Sequence, residues 1–114
     1  MSDPRADLLQ GTLEMLVLTT LTLEPMHGWG ISLRLRQTSG EVFDVQQGSL
    51  YPALQRMLRR GWLRSAWRAT AHNRRARYYE LTAEGRRQLA AQVAGWERAS
   101  GAVERVLRFA PQGA

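Results

Sequence analysis

The chain has 114 residues, enough for one domain with a single modest core. Sixteen basic residues outnumber ten acidic ones, for a formal charge of +6, and cysteine is absent. That balance favours polyanionic partners and excludes a disulfide framework or a thiolate metal site.

The surplus charge is concentrated. From Arg34 to Arg77 there are ten arginines against only Glu41 and Asp44, whereas the terminal segments are roughly balanced. All sixteen cations are arginine. A guanidinium suits bidentate contact with phosphate or guanine, but codon usage in a GC-rich genome produces the same bias, so the location of the charge says more than its type. The most apolar run, Leu8 to Leu23, is interrupted by Gln10 and Glu14 and is shorter than the roughly 20 residues of a membrane span. Asp3 and Asp7 stand where a signal peptide carries positive charge. The expected location is the cytoplasm, at the nucleoid, with no membrane partner.

In chain order, Asp7 with Gln10 three places on predicts a helix start, although Gly11 weakens it by roughly 1 kcal/mol and moves the expected start toward Thr12. Leu9, Leu13, Leu16, Val17 and Leu21 form its apolar side, and Pro25 closes it. Met26 to Gly30 reads as a turn with two glycines, leading to a short helix with Ile31 and Leu35 inward and Gly40 as its stop. Val42 to Val45 is an extended connection.

The stretch from Gln46 to Leu63 is the most informative. Leu50, Leu54, Met57 and Leu58 fall on one helical face, Gln55, Arg56, Arg59 and Arg60 on the other, and Gly61 ends the helix. No acidic residue occurs between Gln46 and Arg77. Trp62–Arg68 and Arg77–Thr82 then read as two strands joined by a polar loop over residues 69–76. Thr82 is the expected N-cap of a last helix running to about Phe109, and residues 110–114 should fray. The expected fold is mostly α with a small β-hairpin: a winged helix-turn-helix over residues 1–81, a dimerisation helix over 82–109 and a disordered tail over 110–114.

In the last helix Leu89, Val93, Trp96, Ser100, Val103 and Leu107 are spaced 4, 3, 4, 3 and 4 apart, the alternation of a coiled-coil seam. Gly95 and Gly101 lower helix propensity on either side of polar Ser100. The seam predicts a homodimer, since duplex DNA is normally read by symmetric dimers. The alternative is that it packs back on the first helix of the same chain.

The segments LEMLVL (13–18), HGWGI (27–31), GSLYPAL (48–54), RGWL (60–63) and RYYELTAEG (77–85) together resemble the PadR family of bacterial transcriptional regulators. The likeness runs from about Leu8 to Leu107, and the pair GSLYPAL and YYELTAEG at this separation is its specific part. A single helix after the wing is similar to the compact subgroup. Trp29 departs from the tyrosine more usual at the third place of its motif, a change expected to be silent. The resemblance implies a dimeric winged helix-turn-helix, usually a repressor released from its promoter by a small effector.

For the contacts with double-stranded DNA, Ser49 at the helix start suits a backbone phosphate, or is a plain N-cap. Tyr51 suits a phosphate or a base methyl, or finishes the core beside Leu54. Pro52 is expected to cost little in the first turn. Gln55 is the best reader of a base edge, since its amide pairs bidentately with adenine. Arg56 and Arg59 reach phosphate or guanine, or are solvated; Gln47 is a weaker candidate. Arg74, Arg75 and Arg77 put cations along the wing, on phosphates or in the minor groove. Trp96 is either a core anchor of the seam or a stacking surface for a planar aromatic effector.

His27 and His72 lie far apart in the sequence, so no metal site and no cofactor are expected, and His27 reads as a hydrogen-bonding turn residue. No nucleophile stands at a recognisable spacing from a base, and no glycine-rich phosphate loop follows a strand, so the chain is not read as an enzyme. Two other functions fit the composition: an adaptor that binds another regulator, or a ligand sensor with incidental DNA affinity. Salt-dependent, sequence-selective duplex binding separates a regulator from an adaptor.

Overall fold

The structure, a computed structural model, describes residues 4–109, with side chains from Thr12 onward. The element order is α1 (Pro4–Thr20), β1 (Met26–His27), α2 (Gly28–Thr38), α3 (Gln47–Arg59), β2 (Leu63–Ala69), β3 (Arg75–Leu81) and α4 (Ala83–Phe109). The three strands form one antiparallel sheet in the order β1-β3-β2. This is the expected winged helix-turn-helix, with one strand more than a hairpin.

Helix α1 begins at Pro4, earlier than either start read from the sequence, so Asp7 lies inside it and is no cap. Proline is favoured at a first helical position, and Gly11 is absorbed within the helix. The expected inward Leu9 lies outside the residues whose side chains are described, as does the fraying predicted for 110–114. Leu13, Val17 and Leu21 are buried as expected, and Leu18 is fully buried as well. A stripe along one side misses Leu18 because the end of α1 is packed on more than one side.

The turn expected at Met26–Gly30 contains a strand instead. Met26 pairs with Tyr79 and His27 with Tyr78, so β1 covers the free edge of β3. Two residues are too few to leave a periodic trace, and their pairing is decided 51 to 53 positions away. His27 is also the N-cap of α2: its Nδ1 accepts a hydrogen bond from the Gly30 N–H at 3.0 Å. Gly40, at φ +63°, terminates α2 as expected.

Helix α3 begins two residues before Ser49, and its N-cap, Gln46, makes no side-chain capping bond. Ser49 is therefore the third helical residue and not the cap. Pro52 falls in the second turn and not the first, so the Gly48 carbonyl loses its usual i+4 donor. Leu50, Ala53, Leu54 and Met57 are fully buried and Leu58 packs against them, which fastens the apolar face of α3 to α1, α2 and the sheet.

The wing is longer in strand and shorter in loop than its composition indicates. Only Thr70–Arg74 connect the strands. Asn73 adopts φ +59°, the Thr70 carbonyl accepts from the Asn73 N–H at 2.9 Å, and the Thr70 N–H donates to the Arg74 carbonyl at 2.6 Å. With Asn73 making the reversal, Arg75 and Ala76 continue as strand.

Thr82 caps α4 as expected, its Oγ1 accepting from the Gly85 N–H at 3.0 Å while its hydroxyl donates to the Gly61 carbonyl at 2.6 Å. Glu84 sits in the first turn, and hydrogen bonds from Gln88 and Arg87 hold its carboxyl below the usual carboxylate range. Gly85 is buried directly against the Trp62 backbone. At its base α4 belongs to the domain: Leu89 packs on the core and the helix lies along α1. Farther out it is bare, with Val103 57% and Leu107 67% exposed. The reading that the seam packs back on α1 therefore holds for its near end. Its far end has no cover among the described residues.

Candidate nucleic-acid interface

The buried residues of α3 define its outward side. At 100° per residue, Gly48, Pro52, Gln55 and Arg59 lie opposite Leu50, Ala53, Leu54 and Met57. Pro52, Gln55 and Arg59 are exposed, and Arg59 enters no ion pair among the described residues. Ser49 is exposed on one flank and Tyr51, at 46% exposure, on the other.

Two of the sequence candidates on α3 are engaged by contacts within the protein. Arg56 Nε lies 3.3 Å from Glu14 Oε2, and Arg60 Nη1 lies 3.2 Å from Glu14 Oε1. One carboxylate on α1 thus turns Arg56 of α3 and Arg60 at its C-cap toward the flank. Gln47 donates from Nε2 to Ser32 Oγ at 2.7 Å, docking the start of α3 on α2.

The wing presents its cations on a defined face. The pairing of Trp67 with Arg77, Ser65 with Tyr79 and Leu63 with Leu81 puts all six on one side of the sheet. At the base that side is core; toward the tip it emerges as Trp67, Arg77 and Arg75. Arg77 is half-buried, donating from Nε to Ser65 Oγ at 2.8 Å with its guanidinium 5.7 Å from the Tyr79 ring centroid. Burial pushes the Tyr79 phenol above its ordinary range, and neighbouring Arg77 pulls it back. Arg75 is exposed over Trp67, at 5.9 Å from the ring centroid, and Arg74 is exposed in the turn.

Between α3 and this wing face lies a groove of about 450 Å³, bordered by Tyr51, Gln55, Arg75 and Arg77, with no acidic residue in its lining. Its closed end is the start of α2, where a Cβ on Gly28 would stand 3.1 Å from the Tyr51 hydroxyl. The structure therefore brings Tyr51, Gln55, Arg75 and Arg77 together. Arg59 and Arg74 stay outside the groove, and Arg56 is on the opposite flank beside Glu14.

The sequence profile of the Transcriptional regulator PadR-like family matches residues 17–91. The chain belongs to this family. Among solved structures, a PadR-like transcriptional regulator of Bacillus cereus is similar at 30% identity, with a TM-score of 0.78 over 95% of this chain and 99% of that one. A PadR family regulator of Eggerthella lenta shares 31% identity, with a TM-score of 0.79 over 91% of this chain and 88% of its own. A transcriptional regulator of Clostridium thermocellum, 23% identical, shares the fold with a TM-score of 0.79 over 92% of this chain and 99% of that one. The protein is thus a PadR-like transcriptional regulator, and PadR-like proteins are regulators rather than enzymes.

Two groove residues of this PadR-like chain escape a reading by helix periodicity: Trp29, 67% exposed, and Trp67, 61% exposed. A signal for each was present. Trp67 is four residues after inward Leu63 in a strand, hence on the same face. Trp29 and Leu33 are i and i+4 on α2 but off the face of Ile31 and Leu35. No helix among the described residues is long and apolar enough to cross a membrane, and none of their His, Asp or Glu side chains cluster as a metal would need.

Proposed function

We propose that this regulator is a homodimeric repressor that reads an inverted-repeat operator with α3 and its wing and leaves it on binding a small effector. The observation that carries the DNA contact is the acid-free groove uniting Gln55 and Tyr51 of the helix with Arg75 and Arg77 of the wing. The repressor sense and effector release rest on membership of the family. On this reading Gln55 and Tyr51 carry sequence preference. Ser49, Arg59 and the wing arginines hold phosphates and carry affinity. Arg56 and Gln47 act from behind, through Glu14 and Ser32, by fixing the pose of α3.

This division of labour has a measurable form. Arg74→Ala and Arg75→Ala are each expected to weaken operator and random duplex alike and to lower the salt slope by about 1. Gln55→Ala is expected to reduce the ratio of specific to random affinity, by roughly 1–3 kcal/mol for a lost bidentate contact. An intact ratio in Gln55→Ala together with its loss in a wing variant reverses the roles.

For the effector, Trp96 offers the stacking surface. It is 42% exposed and borders a cleft of about 530 Å³ shared with Glu14 of α1, Arg56 of α3 and Gln92. A planar aromatic guest there touches α4 and the flank of α3 at once, and it lowers DNA affinity only as far as it prefers the non-operator geometry. Titrating planar aromatics against operator binding tests this, with Trp96→Leu as control. Release that persists undiminished in Trp96→Leu removes Trp96 from the mechanism.

A further inference from the structure

Two large indole rings stand in water on the borders of the groove, where neither completes the core. Trp67 lies on the wing wall beyond buried Leu63, Tyr79 and Leu81, and Trp29 lies at the start of α2. Exposed apolar surface gathered at one concave place marks a contact surface. Trp67 is also flanked by the Arg75 guanidinium, so ring and cation are presented side by side.

A recognition helix in the major groove and a wing in the adjacent minor groove have one sugar-phosphate strand running between them. We infer that the groove holds that strand, with Trp29 and Trp67 packed on its deoxyribose faces and Arg75 and Arg77 on its phosphates. The inference rests on the DNA reading above. The bases of a duplex are stacked on each other and offer no free ring face, so the apolar surface available outside the helix is the C–H face of the sugars. The strand alternates an anionic group with an apolar one. The groove lining is complementary to it, with both indoles and guanidiniums in it and Arg75 set over Trp67. Trp29 and Trp67 therefore supply a part of the affinity that salt does not screen, because no counterion is released when a sugar is covered.

The test measures affinity for a random-sequence duplex and for a duplex enriched by selection, across a salt series, with far-UV circular dichroism as a fold control. Trp29→Ala and Trp67→Ala are each expected to weaken both duplexes about tenfold at an unchanged salt slope, and Trp67→Phe to recover most of the loss. Arg75→Ala lowers the slope by about 1. Unchanged affinity in both tryptophan variants, with the wild type binding DNA, overturns the inference and spares the DNA reading. So does a slope lowered by about 1 in Trp67→Ala, because the ring then acts only by holding Arg75. A loss confined to the selected duplex assigns the rings to base edges and overturns it too. A wild type that binds neither duplex brings down both readings.

Discussion

Gly85→Ala is expected to destabilise the domain strongly, although it adds one methyl group to a helix and alanine is the better helix former. A Cβ built on Gly85 lands on the Trp62 carbonyl oxygen, nearer than real Cβ atoms come, and stands 3.0 Å from the Trp62 carbonyl carbon and 3.2 Å from Leu81 Cδ2. That carbonyl cannot retreat without loss, because it accepts the Thr82 N–H at 3.1 Å. Thr82 in turn caps α4 and ties it to Gly61. Moving α4 outward breaks this knot and lifts Leu89 off the core. Overpacking of this kind costs about 1–3 kcal/mol, and a rigid backbone neighbour puts Gly85→Ala at the upper end. Thermal denaturation is expected to show a midpoint about 10 °C lower or more. A midpoint within a degree or two of wild type contradicts the packing described at the start of α4.

Replacing Val103 and Leu107 together by aspartate is expected to convert the proposed dimer to monomer while the winged domain stays folded. Both side chains are more than half exposed, so the charges meet water within a single chain. In a dimer each would bury an unpaired carboxylate where an apolar side chain had contributed roughly 1.5–3 kcal/mol. Val93 is a poorer site for this test, because it is half-buried on the portion of α4 that runs along α1. Sedimentation is expected to report monomer, with helix content largely kept. Operator affinity is expected to fall steeply, since two half-sites are then no longer bound together. An unchanged dimer would place the subunit contact elsewhere than the distal seam.

What was legible in the chain follows from the range of the interactions. The apolar face of α3, the Thr82 cap, the Gly40 stop and the full length of α4 rest on residues a few places apart, and each reads directly. Strand β1 does not, because Met26 and His27 are strand only by pairing with Tyr79 and Tyr78. The wing turn reads wider than it is, since the eight residues 69–76 look alike as polar or small, while Asn73 alone makes the left-handed reversal there. The helix face alone made Arg56 equivalent to Arg59. The difference between them is Glu14, 42 positions earlier on α1, and no local pattern carries it. Gln47 was separated from the outward face in the same way by Ser32. Trp67 and Trp29 were readable in principle from strand alternation and from a second apolar face on α2.

The central claim is that α3 and the wing read duplex DNA by sequence, in two copies related by symmetry. Selection of bound duplexes from a random pool by the wild-type protein, at moderate salt, tests it most directly. The account predicts enrichment of an inverted repeat whose half-site centres are about one helical turn apart, roughly 34–36 Å, and loss of that enrichment with Gln55→Ala. Binding that enriches no sequence, or an enriched motif identical for wild type and Gln55→Ala, would contradict it.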